Sequence, residues 1–428
     1  MKALLLLLII GNAQAKLLIE TWQTPEGASV FFTQTKGLPM LDIALNFAAA
    51  SATDSEQFGL SALTNSLIGS ATKYQNEEQI INGFESLGAQ FSTDSAQDIS
   101  TVSLRTLTRA PILQKALEIF AEVITLPSFQ QSHLTREKRQ TLQTIKALEQ
   151  SPASVAELAF QRAVFAGHPY SHSSLGTEQT LTAITLADLQ RHYKKYYVAK
   201  NLTIALVGDI EKTLAKQIAR QISHGLNIGK KTQANADVLP LKKSQNLHIK
   251  FPSKQTHLLI GQVGINRSHA DYYPLYLGNH IFGGIGLTSI LGGEIREKKG
   301  LAYSAYSYFA KMQSRGYFLL KLQTKNSQAV EAKNIALGTL NKFISQPISA
   351  KLLQSGKDNI IGGFALQTAS NSNILGYLSA IGFYNLPLNY LNNFTDKIKN
   401  ISAEEIRKAF ARLVKMDKLI VLTVGGKS

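Results

Sequence analysis

A repeat of long period limits the folds open to this chain more than any other feature. Residues 184–208 match residues 401–425 without a gap. Thr185 and Ser402 are both helix N-cap types, and each is followed three residues on by an acid, Asp188 or Glu405. Leu189 and Ile406, Tyr193 and Phe410, and Tyr196 and Leu413 keep apolar residues at helical spacing. Each helix feeds an apolar strand, Leu202–Val207 or Leu419–Val424, that ends in Gly. The pattern predicts a duplicated unit of roughly two hundred residues. The halves are residues 16–228 and 247–428. The linker between them, 229–246, is polar, lacks periodicity and contains Pro240.

Within each half the reading is strands first and helices after. Leu41–Ala49 and Thr101–Leu107 are strands of the first half, and Leu258–Val263 and Gly316–Thr324 are their counterparts. Glu77–Leu87, Ile112–Ile124 and Thr135–Glu149 carry helical spacing. The predicted class is α+β, with helices packed on a largely antiparallel sheet in each of two homologous halves.

Residues 1–15 stand apart from the rest. Lys2 gives a positive start, Ala3 to Ile10 is apolar, and Ala13-Gln14-Ala15 is a small-x-small cleavage site. They read as a secretory signal peptide, and a short buried helix is the alternative. No later stretch approaches the ~20 apolar residues of a membrane span, so no integral membrane segment is expected. The 428 residues contain no Cys, which excludes disulfides and thiolate metal sites. Export without Cys points to a periplasmic or secreted protein. The net charge of +16 favours acidic surfaces and anionic peptides. Lys and Arg are scattered without interleaved aromatics, so no nucleic acid partner is expected.

Two segments carry the chemistry. Gly59 to Thr72 has the layout of a helix bearing His-x-x-Glu-His, but Ala62, Asn65 and Ser66 stand at the three key positions. The second is Gly283-Gly-Ile-Gly286, followed by Ile295-Arg-Glu-Lys-Lys-Gly-Leu-Ala-Tyr-Ser304. No Gly-Lys-Ser/Thr follows these glycines, so they are not a phosphate loop. His168-Pro-Tyr-Ser-His172 spaces two His by four, but Pro169 disfavours the helix that would converge them.

On these segments the chain resembles the pitrilysin/insulinase family of inverted zincins, over nearly all of the chain after the signal peptide. The resemblance implies two halves of LuxS/metallohydrolase-like type in a clamshell. It implies a zinc site at Ala62, Asn65, Ser66 and, in the segment Glu137 to Ile145, Gln143. In the family these positions hold two His, the general base Glu and a third ligand. Catalytic zinc needs three good protein ligands and a polarised water, so the site is degenerate and no metal is expected here. In the second half the resemblance implies that Arg296 and Tyr303 hold a peptide substrate, with Gly283, Gly284 and Gly286 in the substrate-binding loop. An Arg fork suits peptide carbonyls, and a Tyr hydroxyl can donate to a developing oxyanion. Read without the resemblance, Arg296 pairs with Glu294 or Glu297, and Tyr303 is strand core. Gly88 to Asp98 resembles the family's edge segment, with Ser92-Thr93 in place of Asn-Ala.

The expected role is the non-catalytic, substrate-binding subunit of a heteromeric zinc peptidase. A homologous partner carries His-x-x-Glu-His and the zinc. This chain would supply Arg296 and Tyr303 toward peptides or unfolded polypeptides. The alternative is a peptide-binding or structural scaffold without peptidase activity.

Overall fold

Each half builds one sheet, and each sheet is roofed on one face by a helix from the other half. The computed structural model describes residues 17–426. The signal peptide read at 1–15 lies outside them. The first sheet contains β1 (Glu20–Gln23), β2 (Ser29–Gln34), β3 (Met40–Phe47), β4 (Gln90–Ser95), β5 (Ser100–Leu107) and β6 (Leu202–Gly208). Its order is β1-β2-β6-β3-β5-β4. The second contains β7 (Gln245–Lys250), β8 (Gln255–Val263), β9 (Ala302–Ala310), β10 (Tyr317–Lys325) and β11 (Ile420–Gly425), in the order β7-β11-β8-β10-β9. Among the described residues only β2 with β6 and β7 with β11 pair in parallel. Without β1, the two orders and their strand directions coincide, so the duplication is architectural.

The repeated segment forms the same elements in both halves. Helices Leu186–Tyr196 and Ala403–Leu413 occupy equivalent positions, and β6 and β11 follow them. Both helices start with a capping box. Thr185 accepts from the Asp188 amide at 3.3 Å while Asp188 accepts from the Thr185 amide at 2.8 Å. Ser402 and Glu405 repeat this at 3.2 and 2.7 Å. The predicted strands and helices fall within a few residues of those observed.

β5 alternates buried and half-buried residues, as a strand covered mainly on one face should. β3 is buried almost throughout because helices cover both faces. One face packs Ile43, Leu45 and Leu104 against Phe120 and Val123 of helix Ala110–Thr125 and Ile218 of helix Lys212–His224. The other face presents small residues, among them Ala44 and Ala205, to Ile374, Leu378 and Ile381 of helix Asn371–Phe383, which belongs to the second half. Reciprocally, Phe160 and Val164 of helix Pro152–Val164 pack on Leu259, Leu319, Ile420 and Leu422 of the second sheet. Glycine sets both approaches. A Cβ at Gly261 would sit 2.7 Å from Phe160, and one at Gly382 would sit 2.5 Å from Thr203.

The boundary at 229–246 marks the chain connection rather than a break in packing. β7 starts at Gln245, before the linker was expected to end. Val238 is buried in the cluster that contains Phe160. The Ala236 carbonyl accepts from His168 Nε2 at 2.8 Å and from Ser314 Oγ at 3.2 Å. Asp237 Oδ1 accepts from the Arg315 amide at 3.0 Å. The segment is a strap laid along the seam. Among the described residues no helix is long and apolar enough to cross a membrane.

Phe160→Ala should cost about 3–5 kcal/mol, because the residue is fully buried against a sheet that holds it rigidly. Urea unfolding followed by fluorescence of Trp22, the single Trp and a first-sheet residue, should shift together with far-UV circular dichroism. A Trp22 transition left unmoved would show that the halves unfold independently.

Candidate functional site

The helix Leu60–Ser66 is short and is fixed from both ends. Gly59 starts it at φ 95°, where a Cβ would come within 2.8 Å of the Leu175 carbonyl, so only glycine fits. The Asp54 carboxylate accepts from the Gly59 and Ser61 amides, both at 2.9 Å. Leu60 and Leu63, with Leu67 just beyond, pack on Leu134, Leu181 and Leu189. A cleft of about 200 Å³ adjoins the helix. Ala62, Asn65 and Ser66 line it together with Thr93 and Asp94 of β4 and Glu137 and Thr141 of helix Gln131–Glu149.

The three degenerate positions on the helix are therefore brought together as expected. Asn65 is 1% exposed and fully engaged. Its Nδ2 donates to the carbonyls of Asp94 at 2.8 Å and Thr101 at 3.3 Å. Its Oδ1 accepts from the buried Tyr197 hydroxyl at 2.9 Å. Ser66 Oγ donates to the Leu63 carbonyl at 3.1 Å, and Ala62 offers no donor atom. Where an inverted zincin holds a base and ligands, this chain has a carboxamide tying helix to β4 and β5. Among the described residues no three His, Asp or Glu side chains come together as a metal site. These residues do not fit zinc.

Gln143 requires a correction. It is exposed and does not line the cleft, whereas Glu137 and Thr141 do. At 100° per residue, 137 and 141 share a face that continues at 144, while 143 lies about 200° round from 141. His168 and His172 do not converge. His168 Nδ1 accepts from the Tyr170 amide at 3.1 Å, and Nε2 donates to the strap. His172 stacks on Phe58 with ring centroids 4.1 Å apart.

Arg296 and Tyr303 lie in the second half, around the start of β9. A π-helical turn, Gly293–Glu297, carries Arg296. Such turns recur at functional sites because the extra residue re-aims side chains. Here Lys298 Nζ donates to Glu294 at 2.7 Å, and Arg296 makes no ion pair with either neighbouring acid. Its guanidinium carbon lies 4.7 Å from the centroid of the Tyr303 ring. Tyr303 is 83% exposed, so it is not strand core. The pair is a preassembled cation–π unit with a free phenol. β9 is the edge of the second sheet and matches β4, the edge of the first, which lines the vacated cleft.

The glycines divide by role. A Cβ at Gly283 would collide with Ser307 Oγ and stand 2.8 Å from its amide, so this residue serves packing on β9. For Gly283 the expected place in a substrate-binding loop gives way to this contact. Gly284 and Gly286 are exposed, and Gly286 has φ +60° with open space around it. Sequence reasoning did not assign Asp98. It is buried at the turn after β4, where it accepts from the hydroxyls of Tyr170 and Tyr384 and from the Gln313 amide at 2.8 Å. That knot ties the first half to the second.

Residues 32–178 match the family described as Insulinase (Peptidase family M16), and residues 183–360 match the Peptidase M16 inactive domain. A crystal structure of a peptidase M16 inactive domain from Pseudomonas fluorescens is 36% identical. It covers 96% of this chain and 98% of its own at a TM-score of 0.93. A Helicobacter pylori protease structure shares the fold at a TM-score of 0.87 and 18% identity, covering 95% and 99% of the two chains. The Helicobacter pylori non-peptidase homolog YmxG is 25% identical over 439 residues, 100% of this chain and 99% of that protein. The Bacillus subtilis protein described as uncharacterized zinc protease YmxG is 24% identical over 314 residues, 73% and 75% of the respective chains. The chain belongs to the M16 family of insulinase- and pitrilysin-like proteins, as a member whose first half lacks His-x-x-Glu-His at residues 62–66.

Burial raises the Asp54 carboxyl to about 7 from 3.8, against the opposing pull of its two backbone donors. The folded state holds that proton more tightly than the unfolded one. The contribution of Asp54 to stability is thus full below about pH 4 and is lost as the pH rises through 7. The stability of the natural chain relative to Asp54→Asn should fall across that window in urea midpoints. His192, lowered to about 3 by burial, acts in the opposite sense but is common to both proteins. A difference independent of pH would refute this account of Asp54.

Proposed function

We propose that this chain is the non-catalytic, substrate-binding subunit of a heteromeric zinc peptidase acting on peptides or unfolded polypeptides. A homologous subunit with His-x-x-Glu-His supplies the zinc and the general base. This chain supplies Arg296 and Tyr303. The observation that carries this reading is the contrast between the two edges. At the β4 cleft the polar atoms of Asn65 are taken up by hydrogen bonds to the protein, while at β9 Tyr303 stands exposed with Arg296 against its ring. A phenol without a protein role is free to donate to the oxygen of a scissile carbonyl as it gains charge. The Arg296 fork is free to hold a neighbouring carbonyl and keeps the Tyr303 ring in place. The apolar segment and cleavage site in residues 3–15 support action in the periplasm or outside the cell.

The test is peptide hydrolysis by the chain together with its His-x-x-Glu-His partner. Tyr303→Phe should lower joint kcat about 100-fold, the scale of losing one oxyanion donor. Arg296→Ala should raise KM as well. Neither should change assembly by size-exclusion chromatography. Full joint activity in both variants would leave a structural scaffold as the better reading.

A further inference from the structure

The second half carries a basic cleft that the proposed activity leaves unused. A cavity of about 210 Å³ opens by the β9–β10 turn, at the end of the sheet opposite Tyr303. Pro240 and Leu241 of the strap form one side. Arg315 lines it from the turn. Arg412, Lys415 and Lys418 line it from the end of helix Ala403–Leu413 and the short turn after it. Among the described residues no Asp or Glu lines this cavity.

Two carboxylates hold the arginines from outside the lining. Asp237 accepts from Arg315 Nε at 2.9 Å. Asp271 accepts from Arg412 Nε at 3.0 Å and Nη2 at 2.6 Å. These contacts fix both guanidiniums and leave the terminal nitrogens of Arg315 and Nη1 of Arg412 as donors. Cations at a helix end often serve only its last carbonyls. Here those carbonyls are met in other ways. Lys415 Nζ donates to the Ala411 carbonyl at 2.7 Å. The Val414 amide donates to Phe410 at 2.7 Å, and Gln262 Nε2 donates to Leu413 at 2.6 Å. Lys418 is not used there, and among the described residues it forms no ion pair. Asp417 is exposed and outside the lining.

We propose that Arg315, Arg412, Lys415 and Lys418 bind a phosphate dianion in this cleft, either free or as the phosphomonoester headgroup of a lipid. Four cations against two carboxylates leave two positive charges around a small cavity. A phosphate group carries about −1.5 to −2 at neutral pH and offers three acceptor oxygens, whereas a carboxylate carries one charge. Guanidinium forks suit phosphate oxygens, and ammonium groups add point charges. The net charge of +16 favours the approach of any anion, but only the cleft provides converging donors. A phosphate there would join the strap, the β9–β10 turn and the helix end, so binding should also raise the melting temperature. This inference stands apart from the peptidase reading.

The experiment is calorimetric titration of the full chain with inorganic phosphate at neutral pH and constant ionic strength. One phosphate should bind per chain, about tenfold more tightly than acetate. Lys418→Met should weaken phosphate about tenfold, the scale of one charge-assisted contact. Arg315→Gln should do the same. Lys418→Met removes no ion pair, so it carries the test if Arg315→Gln unfolds. Lys216→Met, on helix Lys212–His224 of the first half, is the control for net charge and should leave binding unchanged. Sedimentation with phosphatidylcholine vesicles, with and without phosphatidic acid, separates the two sources. Binding to phosphatidic acid that Lys418→Met abolishes identifies a lipid headgroup, and binding of inorganic phosphate alone identifies the free ion. Binding of neither probe would overturn the inference. Acetate bound as tightly as phosphate, or equal effects of Lys418→Met and Lys216→Met, would overturn it as well.

Discussion

The reciprocal roofing of the two sheets is the constraint on which the rest depends. Phe160 lies on Gly261 of the second sheet, and the helix carrying Leu378 lies on the alanine face of the first. Large side chains on either contact face would push the helices away, so the small residues and glycines fix the distance between helix and sheet. The two edge strands, β4 and β9, are thereby held by packing that belongs to both halves. The Asp98 knot and the strap at 236–238 reinforce the seam with buried hydrogen bonds. An unpaired group in such a network would cost about 1–3 kcal/mol, which makes the seam specific as well as stable.

Within that frame the vacated cleft is a repaired site rather than an empty one. A metal-bearing helix must be tied to its sheet through ligands and their partners. Here Asn65 does this with two donated bonds and one accepted bond. A carboxamide is neutral and fully satisfied, so the fold gains its tie without the desolvation cost of a buried Glu. On the opposite edge nothing has been repaired. Tyr303 is exposed on a strand end, and Arg296 is steered to its ring by a π-helical turn. The contrast suits a chain whose binding surface outlasts its metal chemistry.

Local rules made most of the fold legible. The capping boxes at Thr185 and Ser402 and the apolar strands after them defined the duplication, because capping and period are short-range. The positions of Ala62, Asn65 and Ser66 followed from the resemblance to a His-x-x-Glu-His helix. Gln143 did not, because a shift of one residue in a long exposed helix rotates the face by 100° and nothing in the exposed sequence anchors it. The role of Gly283 was also hidden, since its partner Ser307 lies on another element. The exchange of roofing helices and the knot at Asp98 depend on tertiary placement, which no local pattern encodes.

The account turns on a cleft that holds its own hydrogen bonds in place of a metal. Calorimetric titration of zinc into the mature chain at neutral pH tests this most directly. The predicted result is no saturable binding near one zinc per chain. One tightly bound zinc, released by chelator and weakened by substitution of Asp94 or Glu137, would contradict it.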